Sequence, residues 1–315
     1  MDTKNKNLRN KNLISINDLT DQDLESIFSI SQKHFANNQN KLFKPSLKDK
    51  TLINFFFENS TRTRISFEIA AKNLGAEVVN IDISLSSLKK GETIIDTAKT
   101  INAMNPDFVA IRHNASGIVE LLKQHLNAAV INAGDGTNEH PSQALLDAFT
   151  ILQNKGKIKD LEIAICGDVL HSRVARSNLL LLKRLGANIR LIMPPTLLVK
   201  DFENWVNKKW GIKVYQKLED GIKNADVIMM LRIQQERMLG CFIPSTNEYY
   251  RLFGLDHEKL KLAKKDVIVL HPGPINREVE ISSSLADDEN FSLILNQVEA
   301  GVAVRQAILE FLNQN

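Results

Sequence analysis

Cysteine is scarce in this chain of 315 residues. Cys166 and Cys241 stand far apart and match no metal-ligand spacing. That excludes a disulfide framework and a thiolate metal site, and points to a reducing compartment such as the cytoplasm. No apolar run approaches the roughly 20 residues of a membrane span. The start, Met1 to Asn12, is rich in Lys and Asn and lacks the apolar stretch of a secretory signal. It reads as a frayed polar arm. Charge of one sign is also in short supply. The net charge is +3, and no basic block follows the N-terminus. Arginines occur singly and form no stripe, so small anions precede nucleic acid as expected partners. No repeat of about 20–50 residues appears, and there is no long Gly/Ser linker.

What is present describes a soluble globular protein, 43% hydrophobic and 24% charged, with a length that suits two domains. Thr20-Asp21-Gln22-Asp23 looks like a capping box ahead of a helix. Strands are expected at Thr51–Phe57, Glu77–Ile81, Asp107–Arg112 and Ala129–Ala133, with helices after Arg62 and over Thr93–Asn105 and Gly117–Leu126. Pro141 suits the first position of a helix to about Asn154. Alternation then restarts: strands at Glu162–Cys166, Asn188–Met193, Lys213–Tyr215, Val227–Leu231 and Val267–Leu270, and helices over Ser172–Leu185, near Asp201–Trp210 and over about Phe291–Leu312. Such alternation predicts α/β architecture: two domains, each a parallel sheet flanked by helices. The split falls near the helix that begins at Pro141.

Ligands of open α/β sheets bind beyond the carboxyl ends of the strands. The polar residues expected there are Ser60–Arg64, Arg112-His113 and Gly134–Gln143, then Asp168–Arg173, Arg232–Arg237 and His271–Pro274. Arginine dominates; paired acids and a Ser/His/Asp arrangement are missing. Such a set binds and polarises anions and does not resemble hydrolytic machinery. Ser60-Thr61-Arg62-Thr63-Arg64 follows a buried aromatic strand and opens a helix. Unpaired first-turn N–H groups, the helix dipole, hydroxyls and forked cations would together hold a dianionic phosphate. An ordinary Ser/Thr cap with solvated arginines is the competing reading. His140 beside Pro141 could likewise be only a cap. A dinucleotide-binding oxidoreductase, suggested by Ile165-Cys166-Gly167-Asp168, fails on motif, because Val169 and Ser172 stand where glycines are required.

Six blocks in order resemble the aspartate/ornithine carbamoyltransferase family. They are Ser60–Arg64, Arg112-His113, His140-Pro141-x-Gln143 with Leu145-Leu146-Asp147, Gly167–Asn178, Leu231-Arg232-x-Gln234-x-Glu236-Arg237, and His271-Pro272-Gly273-Pro274-x-Asn276-Arg277. They span about Phe56 to Arg277. Ornithine members typically show His-Cys-Leu-Pro where this chain has His271-Pro272-Gly273-Pro274. The loop ending Lys90-Gly91-Glu92 also resembles the aspartate-using members. L-Aspartate brings two carboxylates that need cations, and Arg173 and Arg232 suit that task; ornithine would call for an acid.

The resemblance implies transfer of a carbamoyl group from carbamoyl phosphate to the amine of L-aspartate, in de novo pyrimidine synthesis, with no metal or other cofactor. It implies domains at 1–140 plus 292–315 and at 141–291, the C-terminal helix packing back on the first. Ser60, Thr61, Arg62 and Thr63 would hold the phosphate. Thr63, Arg112 and His140 would surround the carbonyl oxygen. Gln143 and the carbonyls of Gly273 and Pro274 would orient the carbamoyl NH2. Lys90, from a neighbouring subunit of a homotrimer with shared sites, would bridge phosphate and aspartate. Arg173, Arg232 and Gln234 would bind aspartate. Glu58, with Arg173 and Arg237, would hold the domains closed. The catalytic set is then Arg62, Thr63, Lys90, Arg112 and His140. Whether Ser86 or Ser87 joins the neighbouring site, and whether regulatory chains attach, the sequence leaves open. A cis bond is expected at Gly273–Pro274, and His271 is expected to be structural.

Overall fold

In the computed structural model, which describes residues 12–82, 91–233 and 245–314, every pairing between strands is parallel. The chain divides into two units, Met1–Ser142 with Gly301–Asn315, and Gln143–Ala300.

In the first unit, β1 (Thr51–Phe56), β2 (Glu77–Asp82), β3 (Phe108–His113) and β4 (Ala129–Asp135) form one sheet in the order β2-β1-β3-β4. β4 is buried at every position, as parallel strands covered on both faces should be. Helices α1 (Asp21–Gln39), α2 (Thr61–Asn73), α3 (Ile94–Ala103) and α4 (Ile118–Lys123) alternate with the strands. Phe55, Val109, Ile111 and Val130 from the strands pack with Ala98, Ile101, Val119 and Leu122 from α3 and α4. The expected capping box is present: Thr20 Oγ1 accepts from Asp23 N–H at 3.1 Å, and Asp23 returns the bond to Thr20 N–H at 2.8 Å. Ahead of α1, Leu13 bridges to Ile131 of β4, and Asn132 Nδ2 donates to the Ile14 carbonyl at 2.8 Å.

The last helix, α12 (Ile294–Gln314), begins three residues later than expected. From Gly301 onward it belongs to the first unit. His34 Nε2 lies 2.9 Å from Glu310 Oε2, Asn38 Nδ2 donates to Gln306 Oε1 at 2.8 Å, and the Arg305 guanidinium sits 5.1 Å above the Phe67 ring. The C-terminal helix thus packs on the N-terminal part of the chain. Of its apolar positions, Ile308 and Leu309 are fully buried, whereas Leu295 and Val298 are exposed.

The second unit opens within α5 (Pro141–Lys155), whose first residue is the expected proline. Its sheet runs β7-β6-β5-β8-β9, from β5 (Glu162–Cys166), β6 (Asn188–Ile192), β7 (Lys213–Tyr215), β8 (Val227–Met230) and β9 (Ile268–Leu270). Around it lie α6 (Arg173–Arg184), α7 (Phe202–Trp210), α8 (Leu218–Ile222), α9 (Thr246–Phe253), α10 (His257–Leu260) and α11 (Ser283–Ala286). The short helices α8 to α11 are additions to the sequence expectation. β5 is followed by Gly167, at φ +122°, where an added Cβ would come within 3.2 Å of Leu231 Cβ. Only glycine tolerates that backbone and that closeness of the neighbouring strand end.

Candidate functional site

In the first unit the sequence-expected residues gather at the carboxyl end of the sheet. Phe56 of β1 is in register with Arg112 of β3, and Phe57 N–H donates to the Arg112 carbonyl at 2.8 Å. The Ser60 turn and Arg112 therefore sit on neighbouring strand ends. β4, beside β3, delivers the turn from Asp135 to His140.

Helix α2 begins at Thr61, so Thr61, Arg62 and Thr63 are its first turn rather than the turn before it. Ser60 occupies the cap position, yet makes no side-chain cap hydrogen bond. In α1, α3, α6, α9, α10 and α11 the cap side chain accepts from the third residue. The ordinary-cap reading of Ser60 is therefore not what the geometry bears out. First-turn N–H groups need an acceptor, and no acid stands in that turn. Arg62 and Arg64 are exposed, while Thr63 is buried. A helix start that is uncapped, cationic and rich in hydroxyls attracts an anion.

Arg112 is held from two sides. Its Nε lies 2.8 Å from Glu58 Oε1, and its Nη1 donates to the Ala133 carbonyl at 3.2 Å. Glu58, expected at a domain closure, is thus engaged within its own unit. His140 is buried, with Nδ1 3.4 Å from Ser142 Oγ. Just before it, the Glu139 carboxylate accepts from Ser15 Oγ at 2.5 Å and from Ile16 N–H at 3.1 Å. The N-terminal segment thereby braces the residue next to His140. The sequence reading missed this brace, because its partners are 124 positions apart. His113, next to Arg112, is driven below the ordinary histidine range chiefly by burial; the hydrogen bond with the Ala115 backbone and the Asp135 and Glu58 carboxylates oppose this without reversing it. Its ring lies tilted against Phe57, with centroids 4.7 Å apart.

In the second unit, Gly167-Asp168 follows β5, and Asp168 accepts from His171 N–H at 3.2 Å and lies 3.0 Å from His171 Nδ1. Arg173 opens α6 behind the Ser172 cap and is buried. Arg232 is half-buried, just past β8. The next residue is clamped: Ile233 N–H donates to Glu280 Oε1 at 2.8 Å, and Asn276 Nδ2 donates to the Ile233 carbonyl at 3.2 Å. β5 pairs with β8, and β8 with β9, which brings Asp168, Arg232 and His271 to adjoining strand ends. His271 is buried, and its Nδ1 accepts from Gly273 N–H at 2.8 Å. As expected, the Gly273–Pro274 bond is cis. Gln143, on the first turn of α5, donates from Nε2 to Asp147 Oδ1 at 2.9 Å. Lys90, Gln234 and Arg237, with Ser86 and Ser87, lie outside the described residues.

Among the described residues no cluster of three or more His, Cys, Asp or Glu side chains is arranged to hold a metal ion, and no helix is long and apolar enough to cross a membrane. The sole described cysteine, Cys166, is buried, and burial raises its thiol far above the ordinary range. It is no nucleophile.

Family models match almost the whole chain. One described as aspartate/ornithine carbamoyltransferase, carbamoyl-P binding domain, covers residues 11–153; its companion, the Asp/Orn binding domain, covers 159–312. The aspartate carbamoyltransferase catalytic subunit of Ruegeria pomeroyi is 54% identical over 306 residues, 97% of each chain. Among solved structures, aspartate transcarbamoylase from Trypanosoma cruzi, in complex with carbamoyl phosphate and aspartate, superposes with a TM-score of 0.85 at 28% identity, over 96% of each chain. Ornithine carbamoyltransferase from Pyrococcus furiosus reaches 0.84 at 26% identity, over 96% of this chain and 97% of that one.

Proposed function

Because the chain belongs to the aspartate/ornithine carbamoyltransferase family, we infer that it transfers the carbamoyl group of carbamoyl phosphate to the amine of L-aspartate. The products are N-carbamoyl-L-aspartate and phosphate. The fold does not discriminate between aspartate and ornithine members, since both superpose equally well. The discrimination comes from the close aspartate relative and from arginines where ornithine would need an acid.

The observation that carries the chemistry is the uncapped start of α2 beside Arg112. Ser60, Thr61, Arg62 and Thr63 would receive the phosphate, as donors and cations suited to a dianion. Arg112, His140 and Thr63 would face the carbonyl oxygen. As the amine attacks, negative charge grows on that oxygen and fixed donors stabilise it. Arg112 is well suited, because Glu58 and the Ala133 carbonyl fix its guanidinium beforehand. The bond from carbon to the bridging oxygen then breaks and phosphate departs. With no dedicated base in view, the departing phosphate takes the amine proton. Gln143, Gly273 and Pro274 would orient the carbamoyl NH2; Arg173, Arg232, Gln234 and Lys90 would bind aspartate. Glu58, Arg173 and Arg237 are the residues proposed for domain closure. Holding both substrates in line supplies much of the rate.

The direct test is ureido-product formation from carbamoyl phosphate with L-aspartate and with L-ornithine in parallel, with no added metal. Product is expected with aspartate alone. Product with ornithine alone overturns the assignments of Arg173, Arg232 and Lys90.

We further propose a cytoplasmic homotrimer with shared sites, in pyrimidine synthesis. Ile65 and Ile69 on α2 and Val79 on the edge strand β2 are 45%, 42% and 49% exposed. Apolar side chains on a sheet edge favour association, and the Lys90 loop follows that strand in sequence. Mixing inactive Lys90→Ala and Arg62→Ala chains should restore part of the activity, because some hybrid sites receive both intact residues. No recovery after subunit exchange counts against shared sites.

A further inference from the structure

Asp147 lies in one of the family-like blocks and has no part in the chemistry above. It is fully buried on α5. Its Oδ1 accepts from Gln143 Nε2 at 2.9 Å and from Gln297 Nε2 at 2.7 Å, and its Oδ2 accepts from Asn178 Nδ2 at 2.8 Å. Gln297 Oε1 in turn accepts from His271 N–H at 2.9 Å, and His271 Nδ1 accepts from Gly273 N–H at 2.8 Å. All of these residues belong to the second unit.

The polarity of this network is set at one point. A carboxylate only accepts, so each amide that meets Asp147 must offer its NH2. That turns Gln143 Oε1 away from Asp147. It also turns Gln297 Oε1 toward a backbone N–H, which fixes His271 and through it Gly273. In the stretch Pro272-Gly273-Pro274 two residues have no N–H, and the third spends its N–H on His271. What remains to face a ligand is carbonyl oxygen. Both arms therefore end in acceptors, matching the two-proton NH2 of a carbamoyl group and mismatching any donor-free acyl group.

We propose that Asp147 is the positioning residue that makes the carbamoyl-NH2 subsite acceptor-only, through Gln143 on one arm and Gln297 and His271 on the other, and so selects carbamoyl phosphate over other acyl phosphates. The inference rests on the carbamoyl-transfer reading given above. An Asp147→Asn chain keeps the shape but brings one NH2 to a place where Gln143, Gln297 and Asn178 also present NH2. One neighbouring amide must flip or lose its partner.

The test compares carbamoyl phosphate with acetyl phosphate, which has the same phosphate and carbonyl but a methyl in place of NH2. In the full-length Asp147→Asn chain the KM for carbamoyl phosphate is expected to rise about tenfold to a hundredfold. The inhibition constant of acetyl phosphate should stay within about twofold, since its contacts are untouched. General damage to the fold would weaken both ligands alike, and that result, or no change in either, overturns the proposal. If Asp147→Asn does not fold, Gln297→Met is read by the same ratio and the same criteria, because it cuts only the second arm. A wild-type chain that forms no N-carbamoyl-L-aspartate overturns the functional reading and this inference together; an active wild type with an unchanged ratio in the variant overturns this inference alone.

Discussion

Arg62→Ala is expected to lower kcat/KM for carbamoyl phosphate by about a thousandfold, with thermal stability unchanged. The size follows from losing a fixed cationic donor that acts on charge in the transition state, which typically costs about a hundredfold to a thousandfold. Arg62 sits at the upper end because two effects combine. In the proposed role its guanidinium would grip the phosphate and would also neutralise the leaving group as the carbamoyl bond breaks. The expectation of unchanged stability follows from exposure. Arg62 lies on the open side of the first turn of α2, and exposed substitutions away from caps and cores are near-neutral. Steady-state kinetics and a melting curve on the same preparation check both halves. If Arg62 were merely a solvated charge, activity would change less than about threefold at moderate salt. Loss of activity together with loss of fold would show that the helix start, rather than the cation, had been removed.

Arg232→Ala should act on the other substrate. KM for L-aspartate is expected to rise about a hundredfold to a thousandfold, while KM for carbamoyl phosphate stays within about twofold. Hydrogen bonds between charged groups are worth about 1.5–3 kcal/mol each, and a forked pair to one carboxylate supplies two. The residue following Arg232 is tied by Glu280 and Asn276, which fixes the backbone beside Arg232 and lowers the cost of ordering it on binding. Arg232→Lys keeps the charge but not the fork, and should recover only a small part of the affinity. Equal effects on both substrates would instead place Arg232 in the framework of the second unit.

Much of the architecture could be read along the chain. The parallel strands announced themselves as short apolar runs, and in each case the structure places a strand within about two residues of the expected span. Capping chemistry marked α1, and proline marked α5. Arginines at the strand ends were enough to point to anions. The short helices α8 to α11 escaped because four to eight residues give at most two turns of periodicity. For α9, α10 and α11 the real signals were single cap residues, Ser245, Asp256 and Ser282. The braces escaped for a different reason. Glu139 with Ser15, and Asp147 with Gln297, join positions 124 and 150 apart, and no local pattern encodes such a pairing. Helix α2 starts at Thr61, about two residues ahead of the expected start after Arg62. Its hydroxyls look like caps, and only the geometry shows that the Ser60 side chain makes no cap hydrogen bond.

The tail of α12 and the segment ahead of α1 give the first unit a particular history during synthesis. Ile14 emerges from the ribosome 118 residues before Asn132, the side chain that will hold its carbonyl. His34 waits through 276 positions for Glu310, and Asn38 through 268 for Gln306. The second unit, by contrast, is one unbroken stretch, Gln143–Ala300, able to fold as soon as it clears the tunnel. Vectorial translation thus reverses the order of completion: the half made first is finished last. A nascent chain interrupted before Gly301 leaves uncovered the face of α1 that bears His34 and Asn38. That species bears uncovered surface of the kind that chaperones and proteases act on.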